Sequence, residues 1–474
     1  MHNKYFLKIT CKFHQPMVDT YLKLFYINLS SEKHKLGGSS LGQVCNKVGM
    51  QAPGISDIDG FKNAFNFIQD LILDKKIVAG HDISSGGLIT TLLEMCFPSQ
   101  NVGMEIDLAP IQNDNTIELM FAENSGLVIQ CMENLPELLE TIGVSCINLG
   151  VVNNTGKLTI KNRNDHLNLD IAKYRDIWYS TSAALDDHQT SNGLAKVRFN
   201  NYKHIPLHFK FPKGFNGNSN QKIQKGIKAA IIREKGSNSE REMAYAMHVV
   251  GFDVYDIHMT DLINGRETLE DYQFIVAVGG FSNSDVLGSA KGWAGAFLYN
   301  PKAKESLDNF FAREDTLSLG VCNVCQLFIE LGLITPEHSE LPKMGHNSSG
   351  KFECQFTAVN INISSSIMMK GLEGSTLGIW AAHGEGKFNL PMKESDYQIP
   401  AKYHYDKYPA NPNGSDNNAA MLCSDDGRHL VMMPHLERST FSWNWAHYPS
   451  DRNDEFSPWI VAFENAIDWL SEGQ

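Results

Sequence analysis

No apolar run in this chain approaches the roughly 18 residues of a membrane-spanning helix, so no membrane partner is expected. No block of consecutive basic residues interrupts a balance of 41 Lys+Arg against 54 Asp+Glu, a formal charge of −13. The electrostatic footprint of a nucleic-acid binder is therefore missing, and a phosphorylated substrate would have to be met by local groups. The nine cysteines are odd in number and scattered from Cys11 to Cys423. That pattern does not build a disulfide framework and suits a reducing compartment, so a cytoplasmic location is expected. Cys322 and Cys325 form one CxxC, but no second pair or nearby Cys/His cluster completes a zinc site, which ranks metal there below nucleophile. Residues 1–12 mix basic side chains with Phe6 and Leu7, without the sustained apolar core of a secretory signal.

What is present is an ordinary globular composition, 42% hydrophobic over 474 residues, enough for two or three domains with proper cores. From about Phe25 to Asn200, short strands alternate with helices. A strand is expected over 24–29, a helix over 58–73, a strand over 77–80, a helix over 88–96, and strands over 127–131 and 146–151 with a helix over 134–142 between them. The stretch 205–224, rich in Phe, Pro, Lys, Gly and Asn, reads as a linker. Beyond it the rhythm is strand 228–232, helix 240–250, strand 253–258, strand 274–278 and strand 317–321, the pattern of a parallel sheet covered by helices. Three segments follow: a domain over 1–204, a linker over 205–224 and a second domain over 225–474.

The stretch Leu319-Gly320-Val321-Cys322-Asn323-Val324-Cys325-Gln326 places a cysteine between a strand and an apolar helical pattern, with glycine two residues before it. This is the layout of a nucleophile elbow, whose sharp turn exposes the sulfur and whose helix N-terminus favours a thiolate. A thiolate needs a base and a group to orient the base. Two pairs offer themselves, His383 with Glu385 and His435 with Glu437, and residues two apart on an extended strand face one side. Spacing alone leaves both open. The turn Gly279-Gly280-Phe281-Ser282 could present N–H groups, together with that of Asn323, to an oxyanion. Each motif also has a plain structural reading, since cysteine is among the most buried residue types and a glycine pair ends many strands. In the first half, His81-Asp82-Ile83-Ser84-Ser85-Gly86-Gly87 could hold a metal and phosphate oxygens near a helix N-terminus. Asp82 or a neighbouring serine capping helix 88–96 is the favoured reading; residues 36–40 carry the same ambiguity.

Taken together, LGGSSLGQV (36–44), AGHDISSGGLITTLLEM (79–95), IIREKGSNSEREMA (231–244), GGFSNSDVLGSAKGWA (279–294), LGVCNVCQ (319–326), GIWAAHGEGKF (378–388), YPANPNGS (408–415) and MMPHLERS (432–439) make the chain resemble phosphoribosylformylglycinamidine synthase of the large, single-chain type. The resemblance implies an α/β fold: a class I glutamine amidotransferase domain with a flavodoxin-like parallel sheet. A partial α+β domain like the C-terminal domain of aminoimidazole ribonucleotide synthetase precedes it. It implies that ammonia freed from glutamine passes to formylglycinamide ribonucleotide activated by ATP and Mg2+, in purine biosynthesis. It puts the nucleophile on Cys322 and selects His435 and Glu437 as base and orienting carboxylate. The oxyanion hole would use Gly280, Phe281 and Asn323. The substrate pocket would use Gln326, Asn413, Gly414, Ser415, His383 and Glu385. Asp82 would be a magnesium ligand and Ser84 a nucleotide contact.

Three departures accompany the resemblance. Most of the synthetase region, which would bind ATP, Mg2+ and the ribonucleotide, is expected to lie in a missing region or partner chain. The family's glycine after Cys-Asn is Val324, where a β-branched residue is expected to strain a tight elbow. The family's proline between His and Glu is Leu436, a milder change. The alternative to an active glutaminase is thus a truncated or degenerate, non-catalytic chain; a cysteine hydrolase with another substrate would leave the first half without a purpose.

Overall fold

The structure, a computed structural model, describes residues 16–99, 101–132, 135–204, 207–219 and 226–472. It divides into two compact units, Met1–Ser182 and Ala183–Gln474.

In the first unit, Leu22–Asn28 (LKLFYIN) has a near-continuous apolar run because both its faces are covered. Leu24 and Tyr26 point into one core with Leu88 and Leu92, while Phe25 and Ile27 point into another with Ala64, Ile68 and Leu71. The strand sits inside a seven-stranded sheet. From one edge the order is Ile77–Asp82, Gly126–Met132, Leu22–Asn28, Cys146–Asn153, Gly103–Asp107, Lys157–Asn162 and Asp165–Asp170. The expected helices appear as Ile58–Leu73, Gly87–Cys96 and Leu135–Glu140. The expected cap on the second of these is corrected. Its N-cap is Gly86 at φ 90, without a side-chain bond. The Glu123 carboxylate instead accepts the Gly86 N–H at 2.8 Å and the Ser40 N–H at 2.7 Å, satisfying donors at two helix starts at once.

The second unit is built on a six-stranded sheet in the order Met421–Cys423, His429–Met432, Leu317–Val321, Phe274–Ala277, Lys228–Arg233, Asp253–His258. All neighbours are parallel except the short edge strand Met421–Cys423. Numbering the parallel strands along the chain gives 2-1-3-4-5, the flavodoxin-like order, in which sites form at the carboxyl ends of the strands. A three-stranded antiparallel sheet, with Glu353–Ile361 between Thr376–His383 and Ala401–Tyr403, stands beside it.

Two boundaries differ from the expected ones. The division falls inside the helix Ile171–Gln189, and residues 183–204 belong to the second unit, not the first. There Asp186 pairs with Lys351 and Arg198, and Arg198 reaches the buried Glu353 at 2.8 Å. Within the expected linker, residues 207–219 are packed against the second unit. The Phe209 and Phe211 rings lie 5.0 and 5.6 Å from Trp445, and Lys210 exchanges backbone hydrogen bonds with Thr376. Residues 205–206 and 220–225 lie outside the described residues.

Truncating Arg198 strands the Glu353 carboxylate in the interior, where an unpaired charge is costly. Arg198→Ala should lower the stability of the second unit by about 2 kcal/mol in urea unfolding; a change within ~0.5 kcal/mol would show that the pair contributes nothing.

Candidate active site

Cys322 stands where the strand Leu317–Val321 turns into the helix Asn323–Glu330, with φ 54 and ψ −108. A non-glycine residue held there carries backbone strain of about 1–3 kcal/mol. The surrounding sheet enforces it: the Cys322 N–H donates to the Met432 carbonyl at 2.8 Å. The side chain is 6% exposed and lies at the wall of a small cavity shared with Gly280, Asp285, Gln326, His383 and His435.

His435 reaches this cavity from the segment after the neighbouring strand His429–Met432. Its backbone N–H donates to the Trp380 carbonyl at 2.8 Å, and its Nδ1–H donates to Glu437 Oε1 at 2.7 Å. Both residues are 2% exposed. The two-residue spacing therefore does what the sequence implied, with Leu436 buried between them. The other pair, His383 with Glu385, is not joined: Glu385 accepts the Ser289 N–H at 3.3 Å, while His383 Nε2 donates to Asn413 Oδ1 at 2.6 Å.

The charges follow from these contacts. Burial alone would push the Cys322 thiol up, but the positive charge on His435 and the closeness of the His383 and His435 rings outweigh it and bring it down to about 6. Burial also opposes charge on His435, yet Glu437 and the Cys322 sulfur hold its imidazolium well above the usual histidine range. Glu437, against its own burial, is kept ionised by His435 and Arg438. The helix N-terminus after Cys322 adds a favourable dipole for the thiolate. Cys325 faces the core, where burial drives its thiol far up, so the two thiols of the CxxC are shifted in opposite directions.

Val324 does not strain the elbow. It sits inside the helix Asn323–Glu330, without the positive φ that would demand glycine, and its side chain is buried in the main core. The glycine that the elbow does require is Gly279, since a Cβ there would stand 2.9 Å from His435 Cε1 and 3.2 Å from Cys322 Cβ. The oxyanion donors need one correction. The Phe281 N–H is committed to the Gly236 carbonyl at 2.8 Å, because the turn pairs with the loop after Lys228–Arg233. Among the described residues no hydrogen bond takes up the N–H of Gly280 or Asn323.

Gln326 lines the cavity and donates from Nε2 to the Glu385 carbonyl at 2.6 Å. Gly414 and Ser415 do not line it; they brace the turn through Asn411 Oδ1, at 3.0 and 3.2 Å from their N–H groups. The sequence reading passed over Asp285, Ala382 and Arg438, all at the cavity wall. All three fall in matched motifs, but Ala382 contributes a carbonyl that no side chain announces.

In the first unit, Asp82 ends its strand with an exposed carboxylate 3.4 Å from His81 Nδ1, and Ser84 is exposed in the following loop. Among the described residues no three His, Cys, Asp or Glu groups gather to hold a metal. Asp82 alone does not make a magnesium site, because that ion needs near-octahedral oxygen ligation. A cleft of about 1410 Å³ in the same unit, lined by Glu32, Lys35, Asp57 and Arg163, contains neither Asp82 nor Ser84.

Residues 226–470 match the CobB/CobQ-like glutamine amidotransferase domain, and residues 32–161 match the C-terminal domain of AIR synthase related proteins. The chain is 40% identical over 479 residues to the probable chloroplastic/mitochondrial phosphoribosylformylglycinamidine synthase of Arabidopsis thaliana, covering 94% of this chain and 34% of that one. It is 36% identical over 495 residues to the Homo sapiens phosphoribosylformylglycinamidine synthase, covering 95% and 36%. It thus spans about a third of the length of these relatives. Among solved structures, PurLQS from Thermotoga maritima aligns with a TM-score of 0.42 at 24% identity, over 52% of this chain and 99% of that one. The resemblance read from the sequence motifs is borne out by these relatives.

A thiol held down to about 6 is ionised at neutral pH and loses its charge as pH falls through that value. Alkylation of Cys322 by iodoacetamide, followed by peptide mass spectrometry, should therefore rise to a plateau with a midpoint near 6. His435→Gln should move the midpoint upward. A wild-type midpoint at the ordinary thiol value of about 8.5 would remove the ion pair from the account.

Proposed function

Because this chain belongs to the CobB/CobQ-like glutamine amidotransferase domain family, we propose that Cys322 hydrolyses the side-chain amide of glutamine and releases ammonia. The observation that carries this reading is one buried sulfur flanked by the His435–Glu437 pair, with the unused N–H groups of Gly280 and Asn323 beside it.

The steps are those of covalent acyl transfer. With the thiol proton already held on His435, the sulfur attacks the amide carbon as a thiolate. The Gly280 and Asn323 N–H groups meet the oxygen as it gains charge. His435 returns a proton to the leaving nitrogen, ammonia departs, and water cleaves the remaining γ-glutamyl thioester. Glu437 holds the imidazole in the productive tautomer and stabilises its charged form, as the orienting carboxylate does in a Ser-His-Asp triad.

The cavity also suits the rest of an amino acid. Burial pushes the Asp285 carboxyl up, and Glu385 nearby adds to this despite hydrogen bonds from Ser289 and Asn323, so a cationic group such as the α-ammonium would be welcome there. Arg438, a third exposed, offers a guanidinium to the α-carboxylate.

In the whole protein, we infer, the ammonia converts formylglycinamide ribonucleotide to its amidine at a synthetase region that supplies ATP and Mg2+ binding, in the cytoplasm. The AIR synthase-related segment supports this role for the first unit. Asp82 and Ser84 would then act with residues of that other region, since alone they hold no metal.

Purified chain given glutamine should release ammonia, and Cys322→Ala should abolish release. Val324→Gly should leave the specific rate within about threefold while costing about 1 kcal/mol or more of stability, for a glycine placed in a helix. A large rise in rate in that variant would show that valine impairs the wild-type elbow. A folded wild-type chain that forms no ammonia, whatever the glutamine concentration, would support the non-catalytic alternative.

A further inference from the structure

His383 is buried in the wall of the Cys322 cavity, yet the mechanism above gives it no task. Its setting is specific. Asn413, fully buried, donates from Nδ2 to the Tyr403 hydroxyl at 2.9 Å, which turns its Oδ1 toward His383. An amide oxygen can only accept, so the 2.6 Å bond to His383 Nε2 places a hydrogen on that nitrogen. In the neutral ring, Nδ1 then carries a lone pair, and among the described residues this buried atom has no hydrogen-bond partner. Room for the His383–Asn413 contact depends on Gly386, where a Cβ would sit 2.7 Å from His383 Nε2 and 2.9 Å from Asn413 Cγ. Immediately before His383, the Ala382 carbonyl lies 3.8 Å from Cys322 Sγ.

Two acceptors therefore border the sulfur in addition to two N–H donors, and a carboxamide needs both kinds. Its oxygen accepts and its NH2 donates twice. We propose that His383 Nδ1 and the Ala382 carbonyl receive the two N–H bonds of the glutamine carboxamide, so that this pair selects an amide over a carboxylate or an ester. The assignment rests on the reading of Cys322 as a glutaminase nucleophile and extends it to how the site distinguishes substrate from product. Glutamate, whose carboxylate has no hydrogen to donate, would set its oxygens against both acceptors, which favours its release. Asn413 and Tyr403 are positioning residues that fix the tautomer.

The test compares glutamine with glutamate γ-methyl ester, which has the same reacting carbon but no N–H at the leaving group. His383→Leu removes the acceptor and should lower kcat/KM for glutamine by about tenfold or more, the loss of one hydrogen bond to a buried partner. The ester should change by less than about threefold. His383→Asn, whose side-chain oxygen can stand near the position of Nδ1, should restore part of the glutamine rate. Equal losses on both substrates in folded His383→Leu would overturn the proposal. Should that variant fail to fold, nitrogen-15 NMR of histidine-labelled wild-type chain decides. An unprotonated Nδ1 and protonated Nε2 at His383 near neutral pH is the expected result, and a protonated Nδ1 overturns it. Wild-type chain inert toward amide and ester alike would instead sink the glutaminase reading itself, a different outcome from hydrolysis without selectivity.

Discussion

The second unit is organised around one electrostatic problem, a negative charge on a sulfur almost completely withdrawn from water. Burial by itself favours the neutral thiol, and it does so at Cys325, three residues away on the same helix, whose thiol is pushed far up. Cys322 escapes that fate because His435 stands against it as a cation, and His435 remains a cation inside the protein because Glu437 is 2.7 Å from its other nitrogen. Removing any member of this chain of charges leaves the next one uncompensated. The site is thus a coupled set, not three independent side chains.

The sheet serves that arrangement. Adjacent parallel strands, Leu317–Val321 and His429–Met432, bring the sulfur and the imidazole to the same carboxyl edge although the residues are far apart along the chain. The next strand, Phe274–Ala277, delivers Gly279 and Gly280 to that edge. Absence of a side chain at Gly279 lets cysteine and histidine approach, and Gly280 leaves an N–H open. The antiparallel sheet closes the site from another direction, ending the strand Thr376–His383 with the Ala382 carbonyl and the His383 ring beside the sulfur.

Much of this was legible in the sequence where the signal is local. The strands at 228, 274 and 317 are short runs of mostly apolar residues covered on both faces, and glycine before Cys322 with an apolar helix after it marks the elbow. The spacing of His435 and Glu437 likewise survives into three dimensions. Signals that depend on distant partners were not legible. Phe209 and Phe211 look like part of a polar connection until Trp445 is placed against them. Phe281 looks like an oxyanion donor until its N–H is found on Gly236, and the cap at Gly86 comes from Glu123, 37 residues away. The expectation that Val324 would strain the turn assumed the tight conformation two residues too late. The positive φ belongs to Cys322, and the helix has begun by Val324.

An ionised, accessible sulfur facing a bound carboxamide must become acylated before anything else can happen. The most direct measurement is intact-protein and peptide mass spectrometry of the chain quenched in acid after brief exposure to isotope-labelled glutamine. A γ-glutamyl adduct that maps to Cys322, carries the label and is absent from a glutamate control is the expected result. A folded chain whose Cys322 remains unmodified at saturating glutamine, while it still alkylates as a thiolate, would contradict the account.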